Sequence, residues 1–92
     1  MTTNASRPPG AAVVPQALLF DAGLSSHARV LFGILRCCGP ESPDRARLAE
    51  LLGRSKSTVD IALNELCAAG WIEITRRGLG LPNDYRLRDS VG

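Results

Sequence analysis

The sequence predicts a mainly α fold with a small β-hairpin: a three-helix core followed by two short strands. Apolar residues recur at three- and four-residue spacing in three stretches, each opened by Ser or Asp and closed by Gly. After Gly70 the apolar residues tend towards alternation, in Trp71–Arg76 and again in Tyr85–Arg88. The length of 92 residues suits one domain. A chain of this size buries roughly 60–65% of the surface it exposes when unfolded. That excludes a multi-domain enzyme and a large internal substrate cavity.

Residues 1–14 read MTTNASRPPGAAVV, small and turn-forming, and are expected to form a disordered N-terminal tail. Arg7 is the only charge there, so a basic DNA-gripping arm is not expected. Ala17, Leu18, Leu19 and Phe20 form an apolar run too short to assign as helix or strand. It is expected to pack as a leader on the first main helix. Leu24-Ser25-Ser26 opens that helix, Ser26 to Cys38. Its stripe is Ala28, Leu31, Phe32, Leu35 and Cys38, widened by Val30 and Ile34, and Gly39-Pro40 ends it. Asp44 caps a second helix, Arg45 to Leu52, carrying Leu48, Ala49, Leu51 and Leu52 and ended by Gly53. Ser55 caps a third, Lys56 to Ala69, ended by Gly70, whose buried stripe is Val59, Ala62, Leu63, Leu66 and Cys67. Trp71 to Arg76 reads as a strand, Arg77 to Asp84 as a loop, and Tyr85 to Arg88 as the returning strand. The domain therefore spans 15–88, and 89–92 are expected to fray.

The charge balance is 11 Lys+Arg against 9 Asp+Glu, a net +2, which by itself names no partner. Ten of the eleven basic residues are arginine, and Lys56 is the one lysine. A GC-rich coding sequence gives the same bias, so the arginines carry meaning only by position. Two positive charges and no negative one lie between Arg54 and Thr58, and the same holds between Ile74 and Leu81. Three cysteines, two of them adjacent, make a poor disulfide framework. No apolar stretch reaches the ~18 residues of a membrane span. The start of the chain lacks the pattern of a secretory signal. A reducing, cytoplasmic setting with nucleoid association is the expectation.

Two short helices joined by a tight turn, then a hairpin, is the order of a winged helix-turn-helix, a three-helix core plus wing. Ala49 is small where the helices cross, Gly53 frees the turn, and Val59 is placed to plug the shared core. The run Leu48-Ala49-Glu50-Leu51-Leu52-Gly53-Arg54-Ser55-Lys56-Ser57-Thr58-Val59, then Leu63-Asn64-Glu65-Leu66, then Ala69-Gly70-Trp71-Ile72, resembles bacterial winged helix-turn-helix proteins. These are small transcriptional regulators and plasmid or phage replication initiators; Val14 to Leu19 before Leu24-Ser25 resembles the start of the initiator-like domains. The resemblance covers about Pro15 to Arg88. Arg54 departs from it, because the family usually has an apolar turn residue there.

The resemblance implies sequence-specific binding of double-stranded DNA, with Lys56 to Asn64 as the recognition helix in the major groove. Ser55, Ser57 and Thr58, with the amides of the helix start, suit phosphate or base contact. Lys56 and Arg54 supply charge. Asn64 suits adenine, Ile61 a thymine methyl, and Asp60 a cytosine amino group, unless Asp60 is misplaced and repels phosphate. Arg76, Arg77 and Gly78 form the wing, with arginine entering the minor groove or meeting the backbone.

Other chemistry is set aside. No carboxylate pair, nucleophile–base set or phosphate-loop pattern is present, so no catalysis is expected. His27 reads as a surface residue, Gly78-x-Gly80 as a wing turn, and Trp71 as a core anchor. Cys38 and Cys67 fall on apolar stripes and read as core-type thiols, and the set Cys37, Cys38 and Cys67 lacks the spacing of a metal or redox switch. No cofactor and no metal are expected. The remaining readings are a replication or partition DNA-binding protein and a winged-helix protein–protein adaptor. A homodimer through the first helix or Ala17 to Phe20 is open, and so is a monomer on direct repeats. The fold leaves little chain for a sensing or dimerisation domain.

Overall fold

The computed structural model describes residues 12–38, 43–75, 78 and 84–90. The expected tail lies outside the described residues up to residue 11, and so do Arg76 and Arg77 of the expected wing. The described chain is mainly helical with one small antiparallel sheet. The elements in order are α1 (Gln16–Leu19), α2 (Ser26–Cys38), α3 (Arg45–Leu52), α4 (Lys56–Ala68), β1 (Ile72–Thr75) and β2 (Asp84–Leu87). The strands pair with Ile72 opposite Leu87, Glu73 opposite Arg86, Ile74 opposite Tyr85 and Thr75 opposite Asp84.

Each main helix starts on a side-chain cap, because the first amides of a helix have no internal partner. Ser25 Oγ accepts from Ala28 N at 3.2 Å, Asp44 Oδ1 from Arg47 N at 2.8 Å, and Ser55 Oγ from Thr58 N at 3.2 Å. Two helices end the same way. Gly53 N donates to Glu50 O and Arg54 N to Ala49 O; Gly70 N donates to Cys67 O and Trp71 N to Leu66 O. This is the paired closure that needs a left-handed residue, and Gly53 at φ 75° and Gly70 at φ 84° supply it. The second closure also explains where the strand starts. Trp71 N belongs to the end of α4, so β1 opens at Ile72, one residue later than the alternation predicts. Trp71 O still accepts from Arg88 N at 2.9 Å, which seats the hairpin on the helix end.

The core draws on every helix and on the hairpin. Leu18, Ala28, Leu31, Phe32, Leu35, Leu48, Val59, Ala62, Leu63, Leu66, Trp71 and Ile72 are buried. Phe32 meets Trp71 edge-on, with centroids 6.3 Å apart. Fully burying a side chain of this size contributes about 1.5–3 kcal/mol. Trp71 is thus the core anchor its position predicts. The leader forms a single helical turn that buries Leu18 and leaves Phe20 73% exposed. Asp21 secures it: its carbonyl accepts from Arg29 at 2.7 Å, and its carboxylate accepts from Gly23 N and, at 3.4 Å, from Trp71 Nε1.

Both ends of the packed domain differ from expectation. Val14 packs against the core, so ordered packing begins one residue before the predicted domain start. Asp89, placed in the fraying end, pairs with Arg36 at 2.7 Å. Val30, which widens the predicted α2 stripe, and Leu51, one of the apolar residues of α3, are 55% and 43% exposed. Helical periodicity gives the direction of an apolar face, and the width that becomes covered depends on the neighbouring elements. Among the described residues, no helix is long and apolar enough to cross a membrane.

Candidate nucleic-acid interface

α3 and α4 are joined by Gly53-Arg54-Ser55 alone, so the start of α4 is fixed by the closure of α3. The core side of α4 is Val59, Ala62, Leu63 and Leu66, all buried. Its opposite side holds Ser57, Ile61 and Asn64, all exposed, and Lys56 is exposed at the helix start. Ile61 is 60% exposed, a large apolar residue in the middle of an otherwise polar face. Arg54 and Ser55 are exposed at the turn. Among the described residues neither Arg54 nor Lys56 is in an ion pair. An open groove of about 680 Å³ runs beside them, lined by Ala46, Ala49, Gly53, Arg54, Lys56 and Thr58 among others.

The remaining predicted residues are placed differently. Thr58 is half-buried; its amide is held by Ser55 Oγ and its hydroxyl lies 3.2 Å from the same oxygen. Its amide is therefore already satisfied within the cap. Asp60 is half-buried and engaged by Arg45 from α3, through Nε to Oδ1 at 2.7 Å and through the terminal nitrogen to Oδ2 at 2.6 Å. Gly78 is exposed with φ 116°, a backbone conformation that favours glycine. Arg76 and Arg77 lie outside the described residues.

Arg45 is the residue that sequence reasoning missed. It lies fifteen positions before Asp60 on a different helix, and no periodicity links such positions. Two other exposed acids are also paired. Glu50 pairs with Arg47 at 3.1 Å one turn along α3, and Glu73 pairs with Arg88 across the hairpin. Pairing within the molecule therefore offsets Asp60 and Glu50, Glu65 of α4 is held by a backbone amide, and Lys56 and Arg54 keep their charge open to solvent.

The thiols lie elsewhere. Cys37 and Cys38 line a separate apolar groove of about 500 Å³ with Val14, Val30, Ile34 and Leu51. Cys67, on α4, packs against the core, and burial pushes its thiol pKa up. Among the described residues, no group of three or more His, Cys, Asp or Glu side chains could hold a metal ion. Comparison of the chain with family models, with curated proteins and with solved structures finds no match.

Proposed function

We propose that this chain is a winged helix-turn-helix that binds double-stranded DNA in a sequence-specific way, as a small bacterial transcriptional regulator. The observation that supports this most is the exposed side of α4. Ser57, Ile61 and Asn64 share one solvent face, beginning at a capped helix start where Arg54 and Lys56 are exposed. The major groove is about 12 Å wide and admits one α-helix. Asn64 is then the residue for adenine and Ile61 for a thymine methyl, with Lys56, Arg54 and Ser57 on phosphate. The hairpin is the wing, and Arg76, Arg77 and Gly78 bring it to the minor groove or backbone. The protein acts without cofactor or catalysis, in the cytoplasm on the nucleoid. A two-fold pair of chains would occupy half-sites about one helical turn apart.

The test is fluorescence anisotropy with labelled, mixed-sequence genomic duplex at low salt. Saturable binding with a steep salt dependence is expected, because neutralised phosphates release counterions. A chain that leaves duplex unbound at micromolar concentration would instead be a winged-helix adaptor, docking a protein through the face around Ile61.

A further inference from the structure

Asp60 is the one acid on the outer half of α4's first two turns, and its carboxylate is held in a fork. The guanidinium of Arg45 meets both oxygens, at 2.7 and 2.6 Å. A planar two-point contact fixes the plane of the carboxylate as well as its position, which a lysine could not do. Arg45 is the first residue of α3, directly after the capping Asp44, so the fork projects from an ordered helix start. Both partners remain partly exposed, with side chains 48% and 44% accessible. An exposed pair of this kind adds little to stability. Its effects are on charge and on orientation.

Both effects bear on the α4 face. An isolated carboxylate there would be repelled by phosphates, and the neighbouring guanidinium offsets that charge. Each carboxylate oxygen still has a lone pair after the fork is made, and an ionised carboxylate only accepts. In the major groove the matching donor is a base amino group, above all N4 of cytosine; guanine O6 and N7 and thymine O4 are acceptors and are disfavoured.

We propose that Arg45 is a positioning residue for base readout: it holds Asp60 so that the carboxylate accepts from a cytosine amino group at one place in the site. The inference rests on the DNA-binding reading of α4. It extends the interface to a residue of α3 and gives the Asp60 position a base preference.

The experiment is selection from a random-duplex pool with the full chain, in five forms: unaltered, Asp60→Asn, Arg45→Gln, Arg45→Lys and the double variant Asp60→Asn with Arg45→Gln. Anisotropy follows on the duplex the unaltered chain selects and on the same duplex with its enriched C·G pair changed to T·A. The unaltered chain is expected to discriminate about tenfold between the two. Asp60→Asn and Arg45→Gln are each expected to reduce that ratio to about twofold or less, and Arg45→Lys to recover affinity without recovering the ratio. The double variant is expected to show no further loss of preference, because the two side chains act as one unit. A selected site that Arg45→Gln or Asp60→Asn reads as the unaltered chain does would overturn the proposal, as would duplex binding with no selected sequence. Absence of any duplex binding by the unaltered chain would overturn the DNA-binding reading itself. Thermal melting of each variant separates lost readout from lost fold.

Discussion

Glu65 of α4 accepts the backbone amide of Ser25 through Oε1 at 2.7 Å, forty residues away in the chain. Ser25 is also the cap of α2, with its own hydroxyl on Ala28 N. A carboxylate on the cap residue's amide is the second half of a capping box, here supplied by another helix. The contact ties the start of α2 to the far end of α4. Glu65→Ala leaves a half-buried N–H without its partner and is expected to cost about 1–2 kcal/mol. For a chain of this size that lowers the melting temperature by roughly 4–16 °C. Thermal unfolding followed by circular dichroism checks it, and an unchanged midpoint would contradict this role for Glu65.

The turn before α4 depends on Gly53. Its φ of 75° lies in the left-handed region, and the space beside it is open. Gly53→Ala therefore meets backbone strain and no clash, and is expected to cost about 1–2 kcal/mol. Denaturant unfolding should show a lower midpoint with an unchanged slope. Equal stability would mean that the turn relaxes to another conformation.

Phe32 is fully buried, edge-on to Trp71 and beneath the guanidinium of Arg36, whose carbon lies 5.3 Å from the ring centroid. Phe32→Ala is expected to cost about 3–5 kcal/mol. A small domain has only about 5–15 kcal/mol in total. Tryptophan fluorescence should report the loss directly, since Trp71 is the chain's only tryptophan. A variant as stable as the parent would contradict the placement of the ring pair.

The thiols should differ in reactivity. Cys37 is exposed, whereas Cys67 packs against the core with its pKa raised by burial. The thiolate is the reactive form, so a thiol reagent at neutral pH should label Cys37 well before Cys67. The sign of the pH effect follows. Below the ordinary thiol range Cys67 is neutral in folded and unfolded chains and contributes nothing. Above it the unfolded chain loses the proton first, the folded chain holds more protons, and stability falls as the pH rises. Cys67→Ala should show a smaller alkaline loss than the parent. Equal alkaline slopes, or labelling of Cys67 first, would contradict this.

Local signals wrote most of the helices into the sequence. Asp44 and Ser55 are read as caps because their side chains act within three residues, and Gly53 and Gly70 as stops because the closing bonds span five. The core stripes of α2 and α4 follow from period alone. Contacts between elements were not legible. Arg45 with Asp60 and Glu65 with Ser25 join helices whose relative placement no local pattern gives. The exposure of Val30 and Leu51 has the same origin, since coverage belongs to the neighbours and not to the helix. For the leader, one helical turn around Leu18 is too short for period to distinguish from a strand. In the candidate interface, residue types and the face of α4 were legible, but the engagement of Asp60 was not.

On the proposed function, α4 meets duplex DNA through its exposed, basic-ended face and the hairpin meets it through Arg77. The most direct test is the salt dependence of duplex affinity for the unaltered chain, Lys56→Ala and Arg77→Ala. Each substitution is expected to weaken binding and to reduce the slope of log affinity against log salt by about one, the loss of a single phosphate contact. Unchanged affinity and slope in both variants would contradict the assignment of the α4 start and the wing to DNA.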